Sequence, residues 1–145
     1  LAVVGEGPDM QEAERIAMDR KIAVRFLGYR DSQDVANLMS DRLGLIFPSR
    51  AFEGAPLVYG EAMQVGLPVI AAEGSTLATQ SRQDETGLTF SWAKPDSLSG
   101  ALVETRKNRE RLSRNARQIF LDRYTPEAWI EKITDIYGAA ISAHK

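Results

Sequence analysis

Short apolar runs punctuate the chain at intervals of roughly twenty residues: LAVV (1–4), AVRFLG (23–28), LGLIFPS (43–49), LPVIAA (67–72) and TGLTF (86–90). The first four are too short for helices and apolar on both faces, the pattern of central strands in a parallel sheet. Helical patterns lie between them. After Pro8 and Asp9, Ala13, Ile16 and Ala17 recur at helical spacing as far as Arg20. From a cap at Asp31 or Ser32, Val35, Leu38 and Met39 do the same. Pro56 is preset for a first helical turn and opens a third helix, which should end at Gly66, where a left-handed residue suits the C-terminal cap. Strand, helix, strand at this spacing predicts βαβ units, hence an α/β fold: a Rossmann-like parallel sheet with helices on both faces.

The last third is purely helical in pattern. Pro95 and Asp96 open a helix through Arg106, and a second runs from about Asn108 to Arg123. Thr125, Pro126 and Glu127 start a third, whose Trp129, Ile133, Ile136, Tyr137 and Ala140 share one stripe. Three consecutive helices must cover the sheet or something outside the chain. No internal repeat, low-complexity tract or linker divides the sequence, so one domain over 1–145 is expected. The chain opens directly on a strand-like run at Leu1, without a methionine, and is expected to be a fragment lacking an initial strand-helix unit.

Composition narrows the chemistry. The 145 residues are 43% hydrophobic, enough for a real core, and the formal charge is −2, so no global field argues for nucleic acid or for an anionic membrane. There is no cysteine, which removes disulfides, thiolate metal sites and thiol nucleophiles together and fits a reducing, cytoplasmic setting. The single histidine, His144, stands beside the C-terminus. A histidine metal site or a Ser-His-Asp triad would have to be built on that residue, and neither is expected. No apolar run reaches the ~18 residues of a membrane span.

Open α/β sheets bind ligands beyond the carboxyl ends of their strands, which directs attention to GEGP, GYRDS, PSRAFEGAP and AEGSTLATQ. The loop GEGP offers Gly5 and Gly7 at a strand end before a helix, a turn through which a phosphate can approach backbone amides. The same glycines equally suit a plain tight turn. The stretch EGAPLVYGE (53–61) is richer. With a helix starting near Pro56, the amides of Leu57 and Val58 and the positive helix end favour an anion, cradled by Gly54, Ala55 and Pro56. Glu53 stands before this site and Glu61 about 7 to 8 Å along the axis from Pro56. Carboxylates beside an anion site make sense as acceptors for paired sugar hydroxyls, so the combination suggests a sugar nucleotide. Gly60, costing about 1 kcal/mol relative to alanine inside a helix, implies close approach of another element.

GEGP, VRFLG, FPS, EGAPLVYGEAMQVGLPVIA and ETGL, in this order and spacing, resemble the C-terminal, nucleotide-binding half of GT-B glycosyltransferases of the family 4 type. The closing YTPEAWIEKITDIY is similar to that family's last helix. The resemblance implies a retaining hexosyltransferase that uses a nucleoside-diphosphate sugar as donor, with no cofactor and no protein-bound metal. It implies that Glu53 is the catalytic carboxylate contacting donor hexose hydroxyls, while Glu61 holds the ribose. The amides of Leu57 and Val58 would meet the diphosphate, with Tyr29 and Arg30 near the base. Ser49 would be structural. The acceptor, a glycan or a lipid-linked molecule, would be held by an N-terminal domain, and the family's basic pair facing the diphosphate would lie upstream of Leu1. On that expectation the fragment alone does not catalyse.

Departures from the pattern are visible. Ala55-Pro56 replaces the common Phe-Gly and removes one N–H donor, Gly60 replaces an apolar residue, and the segment AAEGSTLATQSRQDETG (71–87) carries only one of the usual glycines. The run RKNRERLSRNAR (106–117) is locally basic and admits a peripheral contact with anionic lipid at the inner membrane face; the plainer reading is a solvated face opposite Leu112, Ala116, Ile119 and Phe120. Trp92 and Trp129 read as packing residues, and Phe52 beside Glu53 is ambiguous. The alternative to a transferase is a non-catalytic nucleotide-binding or partner-binding module derived from the same fold.

Overall fold

The computed structural model describes residues 1–50, 53–54 and 56–143, so Phe52, Ala55 and His144 lie outside the described residues. Two compact units, Leu1–Leu38 and Met39–Lys145, make up the chain. In the first, β1 (Ala2–Val3) and β2 (Arg25–Phe26) pair in parallel with Ala2 opposite Arg25, joined by α1 (Met10–Asp19). The helix α2 (Ser32–Ser40) begins where the sequence places its cap, with Asp31 Oδ1 accepting from the Asp34 amide at 2.8 Å.

The second unit is built on three parallel strands, β3 (Leu45–Phe47), β4 (Val69–Ala72) and β5 (Gly87–Phe90), in that spatial order. Leu45 pairs with Val69 and Ile70 with Leu88. The middle strand is wholly buried, which explains why it reads as an unbroken apolar run. Alternate residues point to opposite faces. Ile70, Ala72 and Phe90 pack with Ala101 of α5 (Ser97–Lys107), supported by Ile46, Leu88, Leu98 and Leu102. Each fully buried aliphatic side chain contributes roughly 1.5–3 kcal/mol relative to an exposed one. Two further helices, α3 (Leu57–Gln64) and α4 (Thr76–Gln83), follow β3 and β4; α3 packs on α6 (Arg109–Arg123) and α4 on β4 and β5.

Two expectations change. The segment 71–87 carries α4, which its hydropathy pattern does not announce. Its start is a side-chain cap: Ser75 Oγ accepts from the Ala78 amide at 3.2 Å and donates to the Ala72 carbonyl at 2.7 Å. The closing helix α7 (Pro126–Ala143) forms as expected, yet it has no buried residue, and Trp129, Ile136 and Tyr137 remain more than half exposed. Trp129 therefore is not a packing residue among the described residues.

Three helices end in the same motif with different residues; after α4 it is Glu85 at φ +52°, its amide donating to Arg82 O at 3.3 Å and the Thr86 amide to Ser81 O at 2.9 Å. In α3, the Gly66 amide donates to Met63 O at 3.1 Å and the Leu67 amide to Ala62 O at 2.8 Å, with Gly66 at φ +65°. In α1, Lys21 at φ +54° takes that place, its amide donating to Met18 O and the Ile22 amide to Ala17 O. This is the double closure that relies on a left-handed residue, a conformation that costs a side-chain-bearing residue about 1–2 kcal/mol. A Cβ on Gly66 would also stand 3.2 Å from the Ser113 carbonyl of α6. Thermal melts should therefore show Gly66→Ala destabilised by about 1–2 kcal/mol, and Lys21→Gly stabilised by about 0.5–1 kcal/mol.

Candidate functional site

The site begins at the carboxyl end of β3. Pro48 and Ser49 leave the strand, and Ser49 Oγ donates to Glu53 Oε1 at 3.4 Å, so the serine of this turn supports the first carboxylate. Pro56 stands at the cap of α3 with φ −65° and ψ 116°, extended backbone that proline favours, and the Tyr59 amide turns back to the Pro56 carbonyl at 3.0 Å. The amides of Leu57 and Val58 have no acceptor among the described residues. They belong to the first turn, at the positive end of the helix dipole, which has no side-chain cap and no acidic residue to satisfy it.

The helix has two unlike faces. Tyr59, Ala62 and Met63 are buried, while Leu57 is 84% exposed, and Glu61, one turn after Leu57 on the same side, is half-buried. The two carboxylates thus bracket an open helix start: Glu53 before it and Glu61 behind it on its open side.

What fixes the direction of that helix is a polar contact on its hidden side. Tyr59, 1% exposed, donates its hydroxyl to Asp84 Oδ2 at 3.0 Å and shares a 2.8 Å hydrogen bond with Thr86 Oγ1. Asp84 is held in turn by Arg123 Nη1 at 2.7 Å. The ring of Tyr124 meets Tyr59 edge-on, with centroids 6.1 Å apart, and its hydroxyl accepts from Gln80 Nε2 at 2.8 Å. The close neighbour that Gly60 implied is this ring: a Cβ there would come within 3.2 Å of Tyr124 Cδ1. Sequence reasoning gave Tyr59 no role. The signal was a tyrosine at a core position of a helix, which must find a hydrogen-bond partner when buried.

In the first unit, GEGP and GYR are brought together. The Gly5 amide donates to Gly28 O at 2.9 Å, and the Tyr29 amide to Glu6 Oε1 at 3.3 Å. Gly5 takes φ +115°, while Gly7 is exposed and accepts from the Met10 amide at the start of α1. Tyr29 and Arg30 are both exposed, and Arg30 Nη1 donates to the Tyr29 carbonyl at 2.7 Å. A cavity of about 520 Å³ beside this turn is lined by Glu6, Gly7, Gln11, Glu14 and Phe26 among others. Its charged groups are carboxylates, which suit hydroxyls better than a phosphate.

Other polar groups cluster at the carboxyl ends of β4 and β5. Thr76 Oγ1, in the first turn of α4, is buried with no hydrogen-bond partner among the described residues. Trp92 meets Phe90 edge-on, carries the Arg50 guanidinium 5.1 Å from its ring centroid and stays 53% exposed, so it is only partly a packing residue. Among the described residues no group of three or more His, Cys, Asp or Glu side chains could hold a metal ion.

Residues 1–135 match the family model described as glycosyl transferases group 1. The chain belongs to this family. Its fold is the GT-B glycosyltransferase α/β type, with parallel strands and helices on both sides. An O-antigen biosynthesis glycosyltransferase of Escherichia coli, WclY, is 28% identical over 138 residues, covering 94% of this chain and 38% of that protein. A GDP-mannose-dependent monoacylated alpha-(1-6)-phosphatidylinositol monomannoside mannosyltransferase of Corynebacterium glutamicum is 33% identical over 110 residues, 72% of this chain and 29% of that one. The solved structure of Anabaena HepE in complex with UDP and glucose superposes with a TM-score of 0.77 at 20% identity, over 95% of this chain and 40% of that one. This group 1 chain thus spans well under half the length of the relatives it matches.

Burial raises the pKa of the Tyr59 hydroxyl well above its ordinary value of 10; the Thr86 hydrogen bond opposes the shift and the Asp84 charge adds to it. Tyr124 is raised too, again chiefly by burial. Both are neutral acids favoured by folding, so their contribution is complete below pH 10 and declines as pH rises above it. Tyr59→Phe should cost about 1–3 kcal/mol in chemical denaturation at neutral pH, by removing the hydroxyl that Asp84 Oδ2 and Thr86 Oγ1 share while Asp84 Oδ1 keeps Arg123. The same variant should show a shallower fall in stability above pH 10 than the parent.

Proposed function

We propose that the chain is the donor-binding part of a retaining hexosyltransferase of the family 4 type. The observation that carries this reading is the start of α3, where open amides and a helix dipole suit a diphosphate and lie between two carboxylates suited to hydroxyls. In this reading Leu57 and Val58 donate their amides to the diphosphate, with Gly54 and Pro56 beside it; Ala55, assigned to the same group, lies outside the described residues. Glu61 accepts from the ribose hydroxyls. Glu53 accepts from hydroxyls of the donor hexose beside the reacting carbon and is the catalytic residue; no nucleophilic role is assigned to it. Tyr29 and Arg30 meet the base, near Gly5 and Gly7.

The relatives support the choice of donor and acceptor class. HepE is described with UDP and glucose, the Corynebacterium protein as GDP-mannose-dependent and acting on a phosphatidylinositol mannoside, and WclY as an O-antigen enzyme. A nucleoside-diphosphate hexose, a glycan or lipid-linked acceptor and a cytoplasmic site of action follow for this protein on our reading. It invokes no cofactor and no metal. The chain alone is expected to bind donor without transferring it.

Titrating the chain with UDP, GDP and ADP, followed by amide NMR, tests the reading. At least one nucleotide should shift resonances between Gly54 and Glu61 at millimolar concentration, and no shift there would refute it. Glu61→Ala should weaken that binding by about ten- to a hundredfold, since a charged hydrogen bond contributes about 1.5–3 kcal/mol. Glu53→Ala should leave nucleotide affinity within about twofold while abolishing sugar transfer by the longer enzyme, because its partner is the reacting sugar.

A further inference from the structure

The residues from Arg106 to Arg117 hold six of the chain's eighteen basic side chains and a single acid, Glu110, so +5 is gathered on one short segment of a chain whose formal charge is −2. The structure folds that segment into a corner. α5 ends at Lys107, α6 starts at Arg109, and Asn108 between them donates its side-chain amide to Glu104 O at 3.0 Å and Glu104 Oε1 at 2.6 Å. The corner encloses a cleft of about 580 Å³ lined by Arg106, Lys107, Arg109, Arg111, Ser113 and Arg114. Arg106 and Arg109 join no ion pair among the described residues. Lys107 and Arg114 face exposed acids of their own helices at 3.4 and 3.8 Å, pairings that cost little to open. Arg111 is committed to Glu85 at 3.0 Å.

We propose that this α5–α6 corner docks on the anionic face of a phospholipid bilayer. Cations gathered within a Debye length of such a surface add their attractions, and a concave cluster accepts a headgroup phosphate among several donors. Apolar side chains stand exposed at the margins: Val103, 56% exposed, one turn before Arg106 and Lys107, and Leu121, 48% exposed, one turn after Arg117. Apolar groups beside cations suit the boundary between headgroups and acyl chains. A single-stranded nucleic acid would want aromatic platforms, and residues 102–119 contain none; Phe120 lies under the Arg117 guanidinium at 5.0 Å. The proposal rests on charge and shape at this corner and does not depend on the assignment of donor-site roles.

Co-sedimentation of the chain with phosphatidylcholine vesicles, with and without phosphatidylglycerol, tests it. Binding should appear only with the anionic lipid and fall steeply as salt rises toward 0.15 M, where the screening length is about 8 Å. Replacing Arg106, Lys107, Arg109 and Arg114 together by Gln should lower the partition coefficient at least about tenfold. The smaller pair Arg106→Gln and Lys107→Gln, exposed at the end of α5, should lower it about threefold or more and serves if the fourfold variant does not fold. The pair Arg20→Gln and Arg42→Gln, equal in charge but elsewhere on the chain, should change it by less than that. Absence of binding to anionic vesicles, equal binding to both vesicle types, equal losses in the two pairs, or binding of polyuridylate as tight as that of anionic vesicles would each overturn the proposal.

Discussion

The buried hydroxyl of Tyr59 settles more of this structure than any other single group. A phenol taken out of water must keep its hydrogen bonds, and here both partners, Asp84 and Thr86, come from the turn between α4 and β5. That requirement fixes the rotation of α3 about its axis. With Tyr59, Ala62 and Met63 turned inward, Leu57 and Glu61 have to turn outward, because residues four apart share a face. The open helix start and the carboxylate one turn behind it are therefore consequences of a contact made on the opposite side.

The same contact ties the site to the last part of the second unit. Asp84 would be a poor buried acceptor alone, and Arg123 at the end of α6 supplies the opposing charge, while Tyr124 closes over Gly60. α6 thus reaches the site helix at two places: at its end through Tyr124, and at Gly66 through the Ser113 carbonyl and the Arg117 guanidinium, which donates to Gln64 O at 2.6 Å. A segment that the charge pattern presents as a solvated helix has a side that braces α3. Its other side carries the cations at the α5–α6 corner. Arg117 belongs to the bracing side, and its position shows that a basic residue in a charge run is not surplus by default.

Legibility in the sequence follows the strength of the local signal. Strand β4 was readable because a middle strand buried on both faces has to be apolar throughout, and α3 was readable because Pro56 and Gly66 stand where backbone geometry requires them. α4 was not. Thr76–Gln83 has polar residues at six of its eight positions, no acidic first turn and only Leu77, Ala78 and Ser81 inward, so hydropathy could not separate it from a loop. The serine cap was its only marker. The stripe on α7 was read correctly as a pattern, but a stripe announces an amphipathic helix and not the surface that covers it. The candidate site shows the same division: residues that shape backbone were evident, whereas the tyrosine that turns the helix needed the positions of Asp84 and Thr86, far along the chain.

Gly60 shows how a glycine inside a binding motif can serve packing, as the close approach of another element that it implies is made by Tyr124. A glycine between two site residues invites the thought that a ligand comes close, yet its missing Cβ makes room for Tyr124 on the protein side. A Cβ at this position would stand 3.2 Å from Tyr124 Cδ1, so the ring would have to give by a few tenths of an ångström in its edge-on contact with Tyr59. Glycine and tyrosine are thus two parts of one packing solution, and either change alone would disturb the rotation of α3 on which Glu61 depends. Exchanging Gly60 for a larger residue is for this reason a change to the site, although no atom of that glycine needs to touch what binds there.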